Sequence, residues 1–226
     1  MPSPQRAVLL TERVAYWCLR LNGFLTIENF LLHNRGGGNR TDADVVGVRF
    51  PHRREMALDY EGRAMADDER LGLSDSLVDF VVVEVKTGRC DLNGPWTAPK
   101  GENIHRLLQA MGPLATERVK EVADALYKTG LCVVDETLRI RLVAIGAEFS
   151  EQLAARFPDV KQITWDEALA FIHARFQQYR RAKTEVKQWA DDGQTPRHLA
   201  SNTRDRSDFE RLAKLLMGVP QRRAPR

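Results

Sequence analysis

The sequence predicts an α/β fold: a mixed central sheet flanked by helices, with a helical, basic C-terminal extension. Three observations predict it. Four segments carry the β-branched, alternating or doubly buried pattern of strands: Phe24–His33, Ala43–Phe50, Leu77–Lys86 and Thr137–Gly146. Around them apolar residues recur at helical spacing, as in Ile104, Leu107, Leu108 and Met111. The resulting order, α-β-β-β-α-α-β-α, is that of one α/β unit with a mixed sheet.

Each element has its own signal. Ser3 reads as an N-cap with Pro4 at the first helical position and Gly23 past the end, which encloses a helix of about 19 residues. The strands Phe24–His33 and Ala43–Phe50 flank a glycine turn at Gly36–Gly38, where no Gly-Lys-Ser/Thr follows to make a phosphate loop. Residues 51–76 are polar and acidic without clean periodicity, as in a long loop with a short helix. Leu77–Lys86 is apolar on both faces, so it is central in the sheet. Asn93-Gly94-Pro95 marks a turn into the next helix, and a further helix spans residues 116–128. Thr164 and Glu167 form a capping box opening a long helix with a core stripe of Leu169, Ile172, Phe176 and Tyr179, which runs to about Asp191, before Gly193. The remaining residues are helical and basic, with Phe209, Leu212, Leu215 and Leu216 able to dock on the core, and they end in a frayed QRRAPR tail. Residues 1–150 read as the core domain and 151–226 as an extension packed on it.

Composition narrows the class. With 43% hydrophobic and 29% charged residues, the chain has the balance of a folded protein and not of a disordered one. No apolar stretch approaches the ~20 residues of a membrane span, and the N-terminus lacks the pattern of a signal peptide. Cys18, Cys90 and Cys132 are odd in number and unpaired by spacing, so they read as free thiols of a reducing, cytoplasmic compartment. Net charge is only +3, but residues 171–226 hold 13 basic against 6 acidic side chains, which suits a polyanionic partner as well as a solvated surface.

The chemistry is concentrated at strand ends. In Val81–Lys86, VVVEVK, a buried apolar run delivers Glu84 and Lys86 to one face. Such charges are costly to bury unless they pair or hold a metal, and a salt-bridged strand end is the plain alternative. Asp44 opens another buried strand, and if the two strands are neighbours it stands beside Glu84. Two adjacent carboxylates repel, and a shared proton or a divalent cation resolves the conflict; an oxygen-only ligand set suits Mg²⁺ or Mn²⁺. Asp42 competes with Asp44, since both point to one face. Glu12 falls among Val8, Ala15 and Leu19 on an otherwise apolar side of the first helix, where the alternative is a charge snorkelling at the edge. The opposite apolar face is Val14, Trp17, Cys18 and Leu21, and Arg6, Arg13 and Arg20 make a basic stripe.

A helix Glu, a strand Asp and a Glu-x-Lys on the following strand resemble the PD-(D/E)XK nuclease superfamily, the restriction-endonuclease-like fold. The resemblance covers roughly Gln5 to Met111, and it departs from the family pattern in having Ala43, not proline, before the aspartate. It implies a catalytic set of Asp44, Glu84 and Lys86, with Glu12 as accessory acid. It further implies a Mg²⁺ or Mn²⁺ ion held by Asp44, Glu84 and the Val85 carbonyl, with Lys86 positioning or activating water. The implied activity is phosphodiester hydrolysis, most naturally as a DNA endonuclease, with RNA as the other substrate and a homodimer as a form the family allows. A catalytically inactive nucleic-acid-binding module of the same fold is the competing reading. Further candidates for nucleic-acid contact are Arg13 and Arg20, Trp96 as a stacking or anchoring aromatic, and His105 with Arg106, the latter also an ordinary i, i+4 partner of Glu102. Arg175, Lys183 and Lys187 lie off the core stripe of their helix, on a solvated or DNA-facing side. The five histidines show no metal-ligand spacing.

Overall fold

A computed structural model describes residues 9–34, 36–55, 65–181 and 191–220. Six strands form one sheet: β1 (Leu25–His33), β2 (Asn39–Arg49), β3 (Val78–Val85), β4 (Leu131–Val133), β5 (Leu138–Gly146) and β6 (Lys161–Thr164). The order is β1-β2-β3-β5, and β4 and β6 share the far edge of β5. β1, β2 and β3 are antiparallel neighbours, whereas β3, β5 and β6 run parallel. The sheet is therefore mixed, as expected. β6 lies beyond residue 150, so the segment expected to be an extension supplies a strand of the central sheet.

Strand alternation sorts the core into two layers. Val81, Val83 and Val85 of β3, with Val143 and Ile145 of β5, face α1 (Thr11–Arg20), α6 (Trp165–Gln178) and α8 (Arg206–Met217). Phe80 and Val82, with Ile140 and Leu142, face α3 (Asn103–Met111), α4 (Val119–Thr129) and α5 (Glu151–Arg156). β3 is buried along nearly its whole length, which is why its residues are β-branched on both sides.

Several boundaries differ from the sequence reading. The first helix starts at Thr11 within the described residues; Ser3, Arg6 and Val8 lie outside them. The capping box at Thr164 and Glu167 is present, but α6 ends at Gln178 and a separate helix, α7 (Asp191–Asn202), contains Gly193 instead of stopping before it. The Asn93-Gly94-Pro95 turn opens a single helical turn, α2 (Gly94–Thr97), before α3 begins. α8 buries Phe209, Ala213 and Met217, an i, i+4, i+8 row, whereas Leu215 is 63% exposed. Arg175, expected on a solvated side, is buried against Glu55 and stacks on Phe171 and Tyr179. Lys183, Lys187 and the QRRAPR tail lie outside the described residues.

At the far end of the sheet from the candidate site, Asp79 is fully buried and takes a two-pronged hydrogen bond from Arg141 (2.9 and 2.7 Å) and another from Arg139 (2.6 Å). Arg49 is likewise buried, on Asp67 and two loop carbonyls. Arg139 and Arg141 also donate to the Gly72 and Leu71 carbonyls, and with Arg49 they tie the 51–77 connection to the sheet. Arg141 meets Asp79 as a fork, and Arg49 is compensated by Asp67 together with the Asn22 and Ser74 carbonyls, which makes the buried arginines tolerable.

Candidate active site

The β2–β3 register pairs Val46 with Val82 and Val45 with Val83, and one step further brings Asp44 beside Glu84. The Lys86 peptide N–H bonds the Ile145 carbonyl of β5, so in an alternating strand the Val85 N–H and C=O face β2. That N–H donates to Asp44 Oδ2 at 2.7 Å. A carboxylate thus replaces the backbone partner at the point where the ladder stops.

The reason is a change of face within β2, at constant β1–β2 register. Asn29 of β1, which the constant β1–β2 register sets opposite Asp44, has a left-handed φ of 50°. Ala43 and Val46 both pack in the α3–α4 layer although three residues apart, an odd spacing that regular alternation would put on opposite faces. The strand turns over at Asp44, and the aspartate is left at the seam.

Glu84 extends from the α3–α4 side of β3 and is 2% exposed. Its Oε1 accepts from Lys86 Nζ at 2.6 Å and its Oε2 from the Trp96 indole N–H at 2.7 Å. Lys86 Nζ also donates to Asn93 Oδ1 at 2.7 Å, and its side chain remains 26% exposed. Behind it, the Trp165 indole donates to the Lys86 carbonyl at 2.9 Å. The turn Asn93–Trp96 therefore clamps both charges of the Glu-x-Lys pair.

Electrostatics reflect this crowding. Burial pushes the Glu84 carboxyl up from 4.5 to about 7, opposed by the Lys86 hydrogen bond and reinforced by the charge of Asp44. Asp44 is raised as well, first by burial, then by Glu12 and Asp42, against the pull of the Val85 N–H and Lys86. One lysine faces two acids, and the remaining negative charge favours a proton or a cation.

The structure thus brings Asp44, Glu84 and Lys86 together. Glu12 is half-buried, accepts from the Thr11 hydroxyl at 3.1 Å, and reaches Asp44 only through its field. Asp42 is exposed. The stacking role for Trp96 is corrected: the ring is 1% exposed and its N–H is committed to Glu84, because a buried indole needs a partner for its donor. His105 and Arg106 are not drawn to the carboxylates; His105 stands 4.0 Å from Asp124 and beside Tyr127 on α4, and Arg106 pairs with Glu102 at 3.6 Å. Arg13 is held by Glu28 and Tyr16, while Arg20 is exposed over Trp17. Asn93 was missed. Its one signal was the Asn-Gly-Pro turn seven residues after Lys86, which reads as a turn and says nothing of where the amide points.

The donor set suits a hard divalent cation. Asp44 Oδ1 accepts no hydrogen bond from the described residues, Glu84 keeps lone pairs beside it, and the Val85 carbonyl faces the same side. No group of three His, Cys, Asp or Glu side chains placed to hold a metal occurs among the described residues, so the remaining ligands would be water, which Mg²⁺ commonly retains. Among the described residues no helix is long and apolar enough to cross a membrane. No family model matches this chain, and no characterised protein or solved structure matches it either.

Proposed function

We propose that this chain is a metal-dependent nuclease of the PD-(D/E)XK type, hydrolysing phosphodiester bonds in DNA. The observation that supports this best is the convergence of Asp44, Glu84 and Lys86 at the end of the β2–β3 ladder, where two raised carboxylates share one lysine. Asp44, Glu84 and the Val85 carbonyl would hold Mg²⁺ or Mn²⁺, which when bound acidifies a water and offsets charge on a phosphate. Lys86, the more exposed of the pair, is placed to donate to a phosphate oxygen and to orient an attacking water. Trp96 and Asn93 hold Glu84 and Lys86 in one geometry, so that little reorganisation is needed when substrate arrives.

A second reading is a binding module of the same fold without chemistry. It is favoured by the burial of Glu84, whose two oxygens are both engaged by the protein. One experiment separates them. Supercoiled plasmid and a labelled RNA are incubated with the protein in Mn²⁺ and in chelator. The nuclease reading expects metal-dependent cleavage that falls at least about 100-fold in Lys86→Ala and in Asp44→Ala. Binding without cleavage in any divalent metal, or undiminished cleavage by both variants, overturns it.

A further inference from the structure

Next to the catalytic set lies a groove of about 650 Å³, within the range that accepts a small organic molecule. It sits outside the carboxyl ends of the parallel strands β3 and β5, the usual ligand side of such sheets. It shares a wall with the site. One wall is the 88–97 segment that follows Lys86 and carries Asn93 and Trp96, and another includes Asp166, next to the Trp165 that holds the Lys86 carbonyl. The segment is fixed at its base: a Cβ on Gly146 would stand 2.7 Å from both the Cys90 nitrogen and the Gly88 oxygen.

The lining has two parts. Leu92, Leu153, Phe157 and Val219 are buried apolar residues and make the floor. Arg89 and Arg156 are exposed on the walls, and neither guanidinium has a carboxylate partner among the described residues; Arg156 rests 4.9 Å over the Phe157 ring. The nearby Asp166 is already paired with Lys214. An apolar floor that includes the Phe157 ring and two guanidiniums without a carboxylate partner among the described residues match a base with its flanking phosphates.

We infer that this groove holds an unpaired nucleotide of the strand lying across Asp44 and Glu84, so that the substrate is single-stranded or frayed at that position. The inference rests on the nuclease reading and narrows its substrate class. A base in a duplex is stacked and paired, and cannot reach the buried floor of the groove without leaving its partner.

Binding is measured by anisotropy with a labelled single strand of about 12 nucleotides and with the matching duplex, in chelator so that cleavage plays no part. Arg89→Ala/Arg156→Ala is compared with Lys120→Ala/Lys128→Ala, which removes the same charge from exposed positions on α4. The groove variant should bind the single strand about tenfold more weakly and flatten its log–log salt dependence by about 1.4, at 0.7 per phosphate contact. The α4 variant should leave both unchanged, and duplex affinity should respond equally little to either. Equal losses in the two variants, or an equal loss on duplex and single strand, overturn the groove. Metal-dependent cleavage with single-strand affinity indifferent to Arg89 and Arg156 overturns it too and leaves the nuclease reading standing. Groove-dependent binding without cleavage overturns the nuclease reading instead.

Discussion

Replacing Glu84 by Gln removes the charge that the candidate site holds at greatest cost. In the folded chain its carboxyl is raised from 4.5 to about 7, chiefly by burial. An acid with a higher pKa folded than unfolded binds its proton more tightly in the native state, so its contribution to stability falls as pH rises between the two values. Fully expressed, the difference is about 3.4 kcal/mol, of which about 2.5 kcal/mol appears between about pH 5 and pH 8. Urea unfolding of wild type and Glu84→Gln across that range, without divalent metal, reads it directly. Gln cannot accept from both Lys86 and Trp96, which adds an offset that is the same at every pH and cancels from the comparison. Wild type should lose about 2.5 kcal/mol relative to the variant on going to pH 8, and Mn²⁺ should restore much of that loss in wild type alone. Two stability curves that stay parallel within about 0.5 kcal/mol would show that Glu84 carries no such burden, and the argument for a cation at this site would lose its electrostatic basis.

Trp96→Phe keeps the ring and removes the hydrogen bond to Glu84; it should cost about 1.5–3 kcal/mol in urea unfolding at pH 8 and less at pH 5, where the carboxyl is mostly neutral. Deleting residues 207–226 strips Phe209, Ala213 and Met217 from the core, and since one buried Phe is worth about 3–5 kcal/mol the melting temperature should collapse. Deleting only residues 221–226 should leave the melting temperature unchanged and flatten the salt dependence of duplex binding by at most about 2.7, for three arginines. A truncation at 207 that melts like wild type would remove α8 from the core.

The sequence exposed the candidate site because its signals are local. A run of four apolar residues ending in Glu-x-Lys shows where β3 leaves the core, and Asp44 before a valine-rich run does the same for β2. That those strands are neighbours stood only as a condition in the sequence, because the long connection between Arg49 and Val78 does not dictate the pairing; the β2–β3 ladder supplies it. What stayed hidden depends on residues distant in sequence. β4 and β6 are three and four residues long, too short for a period to register, and exist because β5 offers an edge. Asp79, Arg49 and Arg141 look like surface charges until the strands carrying them are stacked. The exposed Leu215 and the buried Arg175 show the same limit on a helix: the 3.6-residue period places them on a face, and only the neighbouring elements decide whether that face is covered.

Trp165 and Ile145 hold the main chain of Lys86 from positions far downstream, the indole 79 residues later in the chain. Translation at about 5–20 residues per second puts roughly 4–16 s between the appearance of the lysine and that of its brace. Parallel pairing of β3 with β5 also has to await closure of a long loop, the slow kind of contact. A nascent chain thus displays Asp44, Glu84 and Lys86 well before it can fix them. Under the proposed activity, the order of synthesis would hold back cleavage until β5 and Trp165 are in place.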